Sequence, residues 1–378
     1  MPWKEISAMD ERKELVRLAS AADANVSELC GRFGVSRQTA YKWLGRVKAA
    51  GGDLSVLAER SRRPHSSPHR TADAVEALVL QMRREHPTWG GRKILARLDR
   101  LGHNQLPASS TITGILHRHG LIDAGESAKH TPFIRFEMDL PNKLWQMDFK
   151  GHFPMALGRC HPLTVLDDHS RFNLVLVACD NERTGTVQAH LTVAFRRYGM
   201  PAYILCDNGA PFGGDSPHGL TPLAVWLIRL GIGVTHGRAY HPQTQGKEER
   251  FHRTLNADVI AGQAFRDLVH VQSRFDPFRH EYNFDRPHEA LGMKTPAEKW
   301  KPSDRPFPEV LAPIEYDVGQ EVRKVQGKGE IFFKGRPWPV ANCLRGLYVA
   351  LRPTETDGVY DVRFCAQTVA QVDLRGDK

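Results

Sequence analysis

The sequence predicts a multidomain chain in which two small all-α modules precede an α/β domain with a mixed sheet, and a short all-β domain follows. Three observations predict it. The 378 residues exceed one ordinary core and suggest two to four domains. Apolar positions recur with a helical period up to about residue 120 and then shift to strand-like runs. The last sixty or so residues hold short strand patterns at close, even spacing.

The first helical module occupies residues 1–55. Val26 to Leu44 reads as a short helix, a turn at Gly34-Val35, and a second helix capped by Ser36. That pattern is similar to a helix-turn-helix motif, whose second helix enters the major groove. Arg37, Gln38, Thr39 and Lys42 are its DNA-facing candidates, while Val35, Ala40, Tyr41 and Leu44 fasten the helix. A basic connector follows at 56–70, where Arg60, Arg62 and Arg63 are expected along phosphates or in a minor groove. The second module, 71–122, is expected as helices Ala72–Glu85, Gly91–Leu101 and Ser109–His119. Its Ser109 and Ser110 are read as a cap with a hydroxyl-rich, DNA-facing surface.

After a linker at 123–141, the α/β domain is placed at 142–296. Leu144–Lys150, Leu163–Asp168 and Phe172–Ala178 read as an antiparallel meander, Thr184–Tyr198 as a helix, and Ala202–Cys206 as a further strand. Asp148 lies inside an apolar strand, and Asp207 ends one. An acid in such a place is costly unless a cation shared with another carboxylate compensates it. Asp167 and Asp168 compete for that role, but a hairpin end explains them adequately.

The run from Ala239 to Leu255 opens a helix after a Pro/Gly-containing turn and carries Glu248 and Glu249 with arginines on both sides. At about 100° per residue, Glu248 falls on the apolar stripe with Phe251 and Leu255, and Glu249 falls with Arg253 and Asn256 on the polar face. Glu249 is therefore the candidate ligand. Arg253 shares its face as a DNA contact. His241 reads as a turn residue, and Asn283, Arg286 and His288 as packing and phosphate-contact residues.

Asp148, Asp207 and Glu249 in this order, the Tyr240-His-Pro-Gln-Thr-Gln-Gly-Lys run into Glu249-Arg-Phe-His-Arg-Thr-Leu255, and Tyr282-Asn283 with Arg286-Pro287-His288, Ala290 and Leu291 resemble the DDE transposases of bacterial insertion sequences. Their core is similar to that of retroviral integrases. The match spans roughly Leu144 to Pro296. The resemblance implies a ribonuclease-H-like core with a mixed five-stranded sheet, three acidic metal ligands (Asp148, Asp207, Glu249), and cutting and joining of DNA. Two departures stand out. Family members usually carry an aliphatic residue at position 248, and a polar Gly/Pro-rich loop at 213–222 lengthens the interval from Asp207 to Glu249.

An all-carboxylate ligand set selects hard cations, hence Mg²⁺ or Mn²⁺, expected as two ions. No phosphate-cradling Gly-x-x-x-x-Gly-Lys-Ser/Thr loop is present, so no nucleotide cofactor is expected. The expected partners are double-stranded DNA, as element ends and target, and further copies of the chain. The net charge of +9 agrees, and +6 of it falls in residues 1–140. Six scattered cysteines without a Cys-x-x-Cys pair point to reduced thiols in a cytosolic setting, no transmembrane run is present, and the resemblance implies a cytoplasmic, nucleoid-associated protein. Residues 297–312 read as a proline-rich linker and 313–376 as a small β-barrel, with strands at 330–338, 347–352, 359–364 and 368–374. Two other classes share these features: a domesticated DNA-binding regulator that no longer cuts, and a plain nuclease of the same fold.

Overall fold

A computed structural model describes residues 7–59, 70–122, 137–213, 220–236 and 246–376, and divides into two compact units, Met1–Arg70 and Thr71–Lys378. In the first unit, α1 (Ala8–Ala19) starts on a capping box in which Ser7 and Asp10 satisfy each other's backbone donors. Helix α2 (Val26–Arg32) is capped by Asn25, and α3 (Arg37–Ala49) by the Ser36 hydroxyl, which accepts from Thr39 N at 3.2 Å. The turn between them needs Gly34, whose φ is +64°. Leu15, Cys30 and Ala40 form one small core and Val16, Val47 and Leu57 another, with Trp43 against both.

Arg37, Gln38 and Lys42 lie exposed on α3. The Thr39 hydroxyl sits 2.9 Å from that of Ser36 and helps close the cap. Tyr41 departs from expectation. Once Ala40 and Trp43 face inward, the 100° step turns Tyr41 outward, and it is 59% exposed beside Gln38 and Lys42. Arg60, Arg62 and Arg63 lie outside the described residues.

The second unit begins with α4 (Asp73–Glu85), α5 (Gly91–Arg100) and α6 (Ser109–Arg118), packed around Val79, Trp89, Ile94, Leu98, Ile112 and Leu116. Ser109 does not cap α6. The cap position is Ala108, and the Ser109 carbonyl accepts from the Thr113 hydroxyl at 2.9 Å, while Ser110 stays exposed. Gly91 lets α5 approach α6 closely, since a Cβ there would stand 2.4 Å from Thr113 Oγ1 and 2.5 Å from Ser109 O. Gly91→Ala is expected to cost about 1–3 kcal/mol by overpacking. A thermal melt of the variant checks this, and an unchanged midpoint would refute the close approach.

This module is docked on the α/β domain by paired charges. Arg97 meets Asp285 at 2.8 Å, Arg100 meets Glu298 at 2.9 Å, and His86 Nδ1 lies 2.9 Å from Glu281 Oε1. Arg286, expected as a phosphate contact, is buried instead. It bonds Asp258 at 2.7 Å and lies 6.0 Å from the Trp89 ring centre. Burial, with Lys93 and Arg286 beside it, holds His288 down to about 3. An unfolded histidine titrates near 6.5 and so binds the proton more tightly than the folded one. The His288 contribution is therefore complete above about pH 6.5 and is lost as pH falls from there toward 3. The melting midpoint should drop between about pH 7.5 and pH 5 in the native chain and drop less in His288→Gln; equal drops would exclude this source.

The mixed sheet is built from β1 (Leu144–Phe149), β3 (Arg159–Asp167), β4 (Asn173–Cys179), β5 (Tyr203–Cys206) and β6 (Gly233–His236), in the order β4-β3-β1-β5-β6. The two-residue β2 (Phe153–Pro154) adds a sixth, short strand on β3. Neighbours are antiparallel from β4 to β1 and parallel from β1 to β6. Helices α7 (Thr184–Tyr198) and α8 (Pro222–Arg229) cover one face, over Trp145, Met147, Leu163 and Val165. Helices α9 (Gly246–Leu255) and α10 (Leu268–His280) cover the other, over Cys160, Leu166 and Leu176.

The proline-rich segment after the core is strapped down. Trp300 stacks on Phe172 at 4.3 Å between ring centres, Ser303 N donates to Tyr198 O, and Arg305 O accepts from Met200 N. Six strands follow: β7 (Glu321–Lys324), β8 (Glu330–Phe333), β9 (Arg336–Pro339), β10 (Tyr348–Pro353), β11 (Val359–Phe364) and β12 (Gln367–Asp373). Residues 330–338, read as one strand, are a hairpin that turns at Lys334 (φ +50°) and Gly335 (φ +80°). Among the described residues the strands pair as an open sheet, β12-β11-β10-β7, and a separate β8-β9 hairpin. Gln367 fastens this domain to the core by bonding both Val234 N and Val234 O at 3.0 Å.

Candidate active site

Strand register brings the first two acids together. In the parallel pair β1–β5, Gln146 faces Leu205, so two residues further along each strand Asp148 and Asp207 stand side by side at the strand ends. Burial, and the Asp207 charge next to it, push the Asp148 carboxyl up to about 7. Asp207 is also raised, by burial, although its carboxylate accepts from Gly209 N at 3.1 Å. The neighbouring Glu182 charge acts on both, and Glu182 is itself 2.7 Å from His161 Nδ1.

The helix wheel separates Glu248 and Glu249 as the sequence suggested, but the buried acid is the one that meets Asp148. Glu248 is 1% exposed, and burial and the Asp148 charge push its carboxyl well above the usual range. Its Oε2 accepts from Thr164 Oγ1 at 3.0 Å, while Oε1 has no hydrogen-bond partner among the described residues. Glu249 lies on the outer face, its side chain 72% exposed, 3.5 Å from Arg253. The expected convergence is thus met for Asp148 and Asp207 and not for Glu249, because Phe251 and Leu255 anchor α9 on the sheet and leave position 249 pointing to solvent. Among the described residues, no three His, Cys, Asp or Glu side chains stand together as a ready metal cage.

His252 joins this network. Its Nε2 lies 2.8 Å from Thr164 Oγ1 and its Nδ1 4.0 Å from Asp148 Oδ2. Burial and Lys150 hold His252 down to about 4. A hydroxyl has one proton, so while Thr164 donates to Glu248 or to the Asp148 carbonyl it accepts from His252 Nε2. Glu182, Thr164 and His252 were missed by sequence reasoning. Only Glu182, an acid just before a helix start, left a trace in the sequence.

Asp167 closes the hairpin end, whereas Asp168 ties that turn to other segments. Asp167 accepts from Asn142 N, Ser170 N and Ser170 Oγ, and Asp168 accepts from Gln146 Nε2 and Met138 N and pairs with Lys247. Asn283 exchanges two bonds with the Asn173 backbone, a packing role. His241 lies outside the described residues.

Integrase core domain models match residues 139–242 and 230–296, and the C-terminal domain model of the IS481 family transposases matches 320–378. A helix-turn-helix domain model matches 11–65 and a homeodomain-like one 39–116. The chain is an insertion-sequence DNA transposase with an integrase-type core. The insertion element IS407 protein of Burkholderia multivorans is 24% identical over 238 residues, 62% of this transposase and 83% of that protein. The IS476 protein of Xanthomonas euvesicatoria is 26% identical over 42% of this chain and 44% of its own length. The Gag-Pro-Pol polyprotein of simian retrovirus SRV-2 is 35% identical over 117 residues, only 6% of its length. Among solved structures, a simian T-cell lymphotropic virus intasome chain is 17% identical, covering 79% of the transposase and 96% of that chain at a TM-score of 0.38. An HTLV-2 integrase core in complex with magnesium is 16% identical, covering 43% and 97% at 0.32. Among the described residues no helix is long and apolar enough to cross a membrane.

Proposed function

We propose that this transposase binds the terminal inverted repeats of its element as a homo-oligomer, hydrolyses the phosphodiester at each 3′ end, and joins those ends to target DNA. The observation that supports it most is the Asp148–Asp207 pair, in which burial and a like charge raise a carboxyl to about 7. Such crowded carboxylates, with the unpartnered Glu248 Oε1 beside them, fit a hard divalent cation. Asp148, Asp207 and Glu249 would hold Mg²⁺ or Mn²⁺, as two ions. Bound there, the ions would activate the attacking oxygen and stabilise the leaving one.

The protein's own groups do the rest. Arg253, on the same helix face as Glu249 and 3.5 Å from it, is a phosphate contact. Thr164 and His252 fix the Asp148 strand against α9. Exposed Arg37, Gln38, Lys42 and Ser110, with Thr39, Ser109 and the connector's Arg60, Arg62 and Arg63, read or follow the DNA from residues 1–55, 56–70 and 71–122. The core is assigned to 142–296, between segments 123–141 and 297–312. Residues 313–376 form a small barrel, supported by the shared core of both C-terminal sheets, in which Phe333 meets Tyr360 at 4.9 Å between ring centres. The place of action is the cytoplasm, at the nucleoid.

The test is strand transfer. Purified transposase with Mg²⁺ and terminal-repeat DNA should give joined products. Tight binding without metal-dependent products would make it a regulator instead, and cleavage of any duplex without joining would make it a nuclease.

A further inference from the structure

A cleft of about 910 Å³ separates the α/β core from the C-terminal sheets. Its core wall is Arg183 and Thr184 at the start of α7, with Ala210 and Pro211 from the loop that carries Asp207. The opposite wall holds Lys328 and Arg345. Among the described residues, three cations therefore line it and no carboxylate does. Among the described residues none of the three is in an ion pair; Arg345 Nε donates only to the Asn342 carbonyl. Cations held apart from carboxylates leave an uncompensated positive field, which draws a polyanion.

The position of the cleft says which polyanion. Arg183 directly follows Glu182, and Ala210 lies three residues after Asp207, so two of the lining segments run straight on from the acids that crowd Asp148. A chain of phosphates leaving the carboxylate site would enter here. We propose that this cleft holds the phosphodiester backbone of a DNA strand next to the cut, with Arg183, Lys328 and Arg345 as its phosphate contacts. The inference rests on the proposed function for the identity of the carboxylate site.

Binding of the full chain to a fluorescent mixed-sequence duplex, without metal, is measured against salt concentration. Each phosphate contact contributes about 0.9 to the slope of log K against log salt, so the triple change Arg183→Gln, Lys328→Gln, Arg345→Gln should lower the slope by about 2.7. The double change that spares Arg345, and with it the Asn342 bond, should lower it by about 1.8. Lys328→Cys should also cross-link to DNA carrying a thiol tether on a phosphate beside the cleaved position. Slopes equal to the native one, or no cross-link above that of an exposed cysteine placed at Lys299, would overturn the proposal. If the native chain neither cuts nor joins DNA while the slopes fall as stated, the functional reading fails and the cleft stands. If it cuts and joins while the slopes hold, the cleft fails alone.

Discussion

Asp148→Asn and Asp207→Asn are each expected to lower metal-dependent strand transfer by roughly a thousand-fold or more, because a lost ligand removes several kcal/mol of charge stabilisation at the reacting phosphate. Neither should unfold the chain. Burial and a like charge already oppose ionisation at Asp148, so a neutral amide there keeps or raises the melting midpoint at neutral pH. The two glutamates are expected to part company. Glu249→Gln should abolish transfer with no effect on stability, since its side chain is 72% exposed. Glu248→Gln should keep its melting midpoint and measurable transfer, because burial and the Asp148 charge already oppose ionisation there and the amide oxygen can still accept from Thr164. The opposite outcome, with Glu248→Gln dead and Glu249→Gln active, would move the third ligand to the buried position. Transfer surviving in all four variants would remove the metal mechanism altogether.

Arg286→Ala is expected to have the largest effect on stability. Its guanidinium is buried, bonds Asp258 at 2.7 Å and leans on Trp89 of the second helical module. Removing one partner of such a pair strands the other charge and costs about 3–5 kcal/mol. For a unit of this size the melting midpoint should fall by on the order of 10 °C. Asp258→Ala should cost a similar amount, and the double variant clearly less than the sum of the two, since no stranded charge remains. Additive losses would mean that the pair does not couple. Protease sensitivity should rise first at α4–α6, because the arginines of α5 hold that module on the core beside the lost pair.

Asp148 and Asp207 were legible because an acid inside or at the end of an apolar strand is anomalous in one dimension. The 100° step also separated Glu248 from Glu249 correctly, but periodicity says which face of a helix is apolar, not what lies across from it. Tyr41 failed for a related reason: an aromatic beside Ala40 looks like core until neighbouring helices show which face is covered. Arg286 looked like a phosphate ligand, and only the docking of the second module on the core showed that it had an internal partner.

By itself the sequence determined the order of the modules, the strands that carry two acids, and the helix that carries the third, because caps, turns and hydrophobic periods act between residues close in the chain. The tertiary structure alone decided the register that sets Asp148 beside Asp207, the Thr164–Glu248–His252 network, and the cationic cleft between core and C-terminal sheets. Those depend on which distant surfaces bury each other, and burial is a property of the folded chain rather than of any local stretch of it.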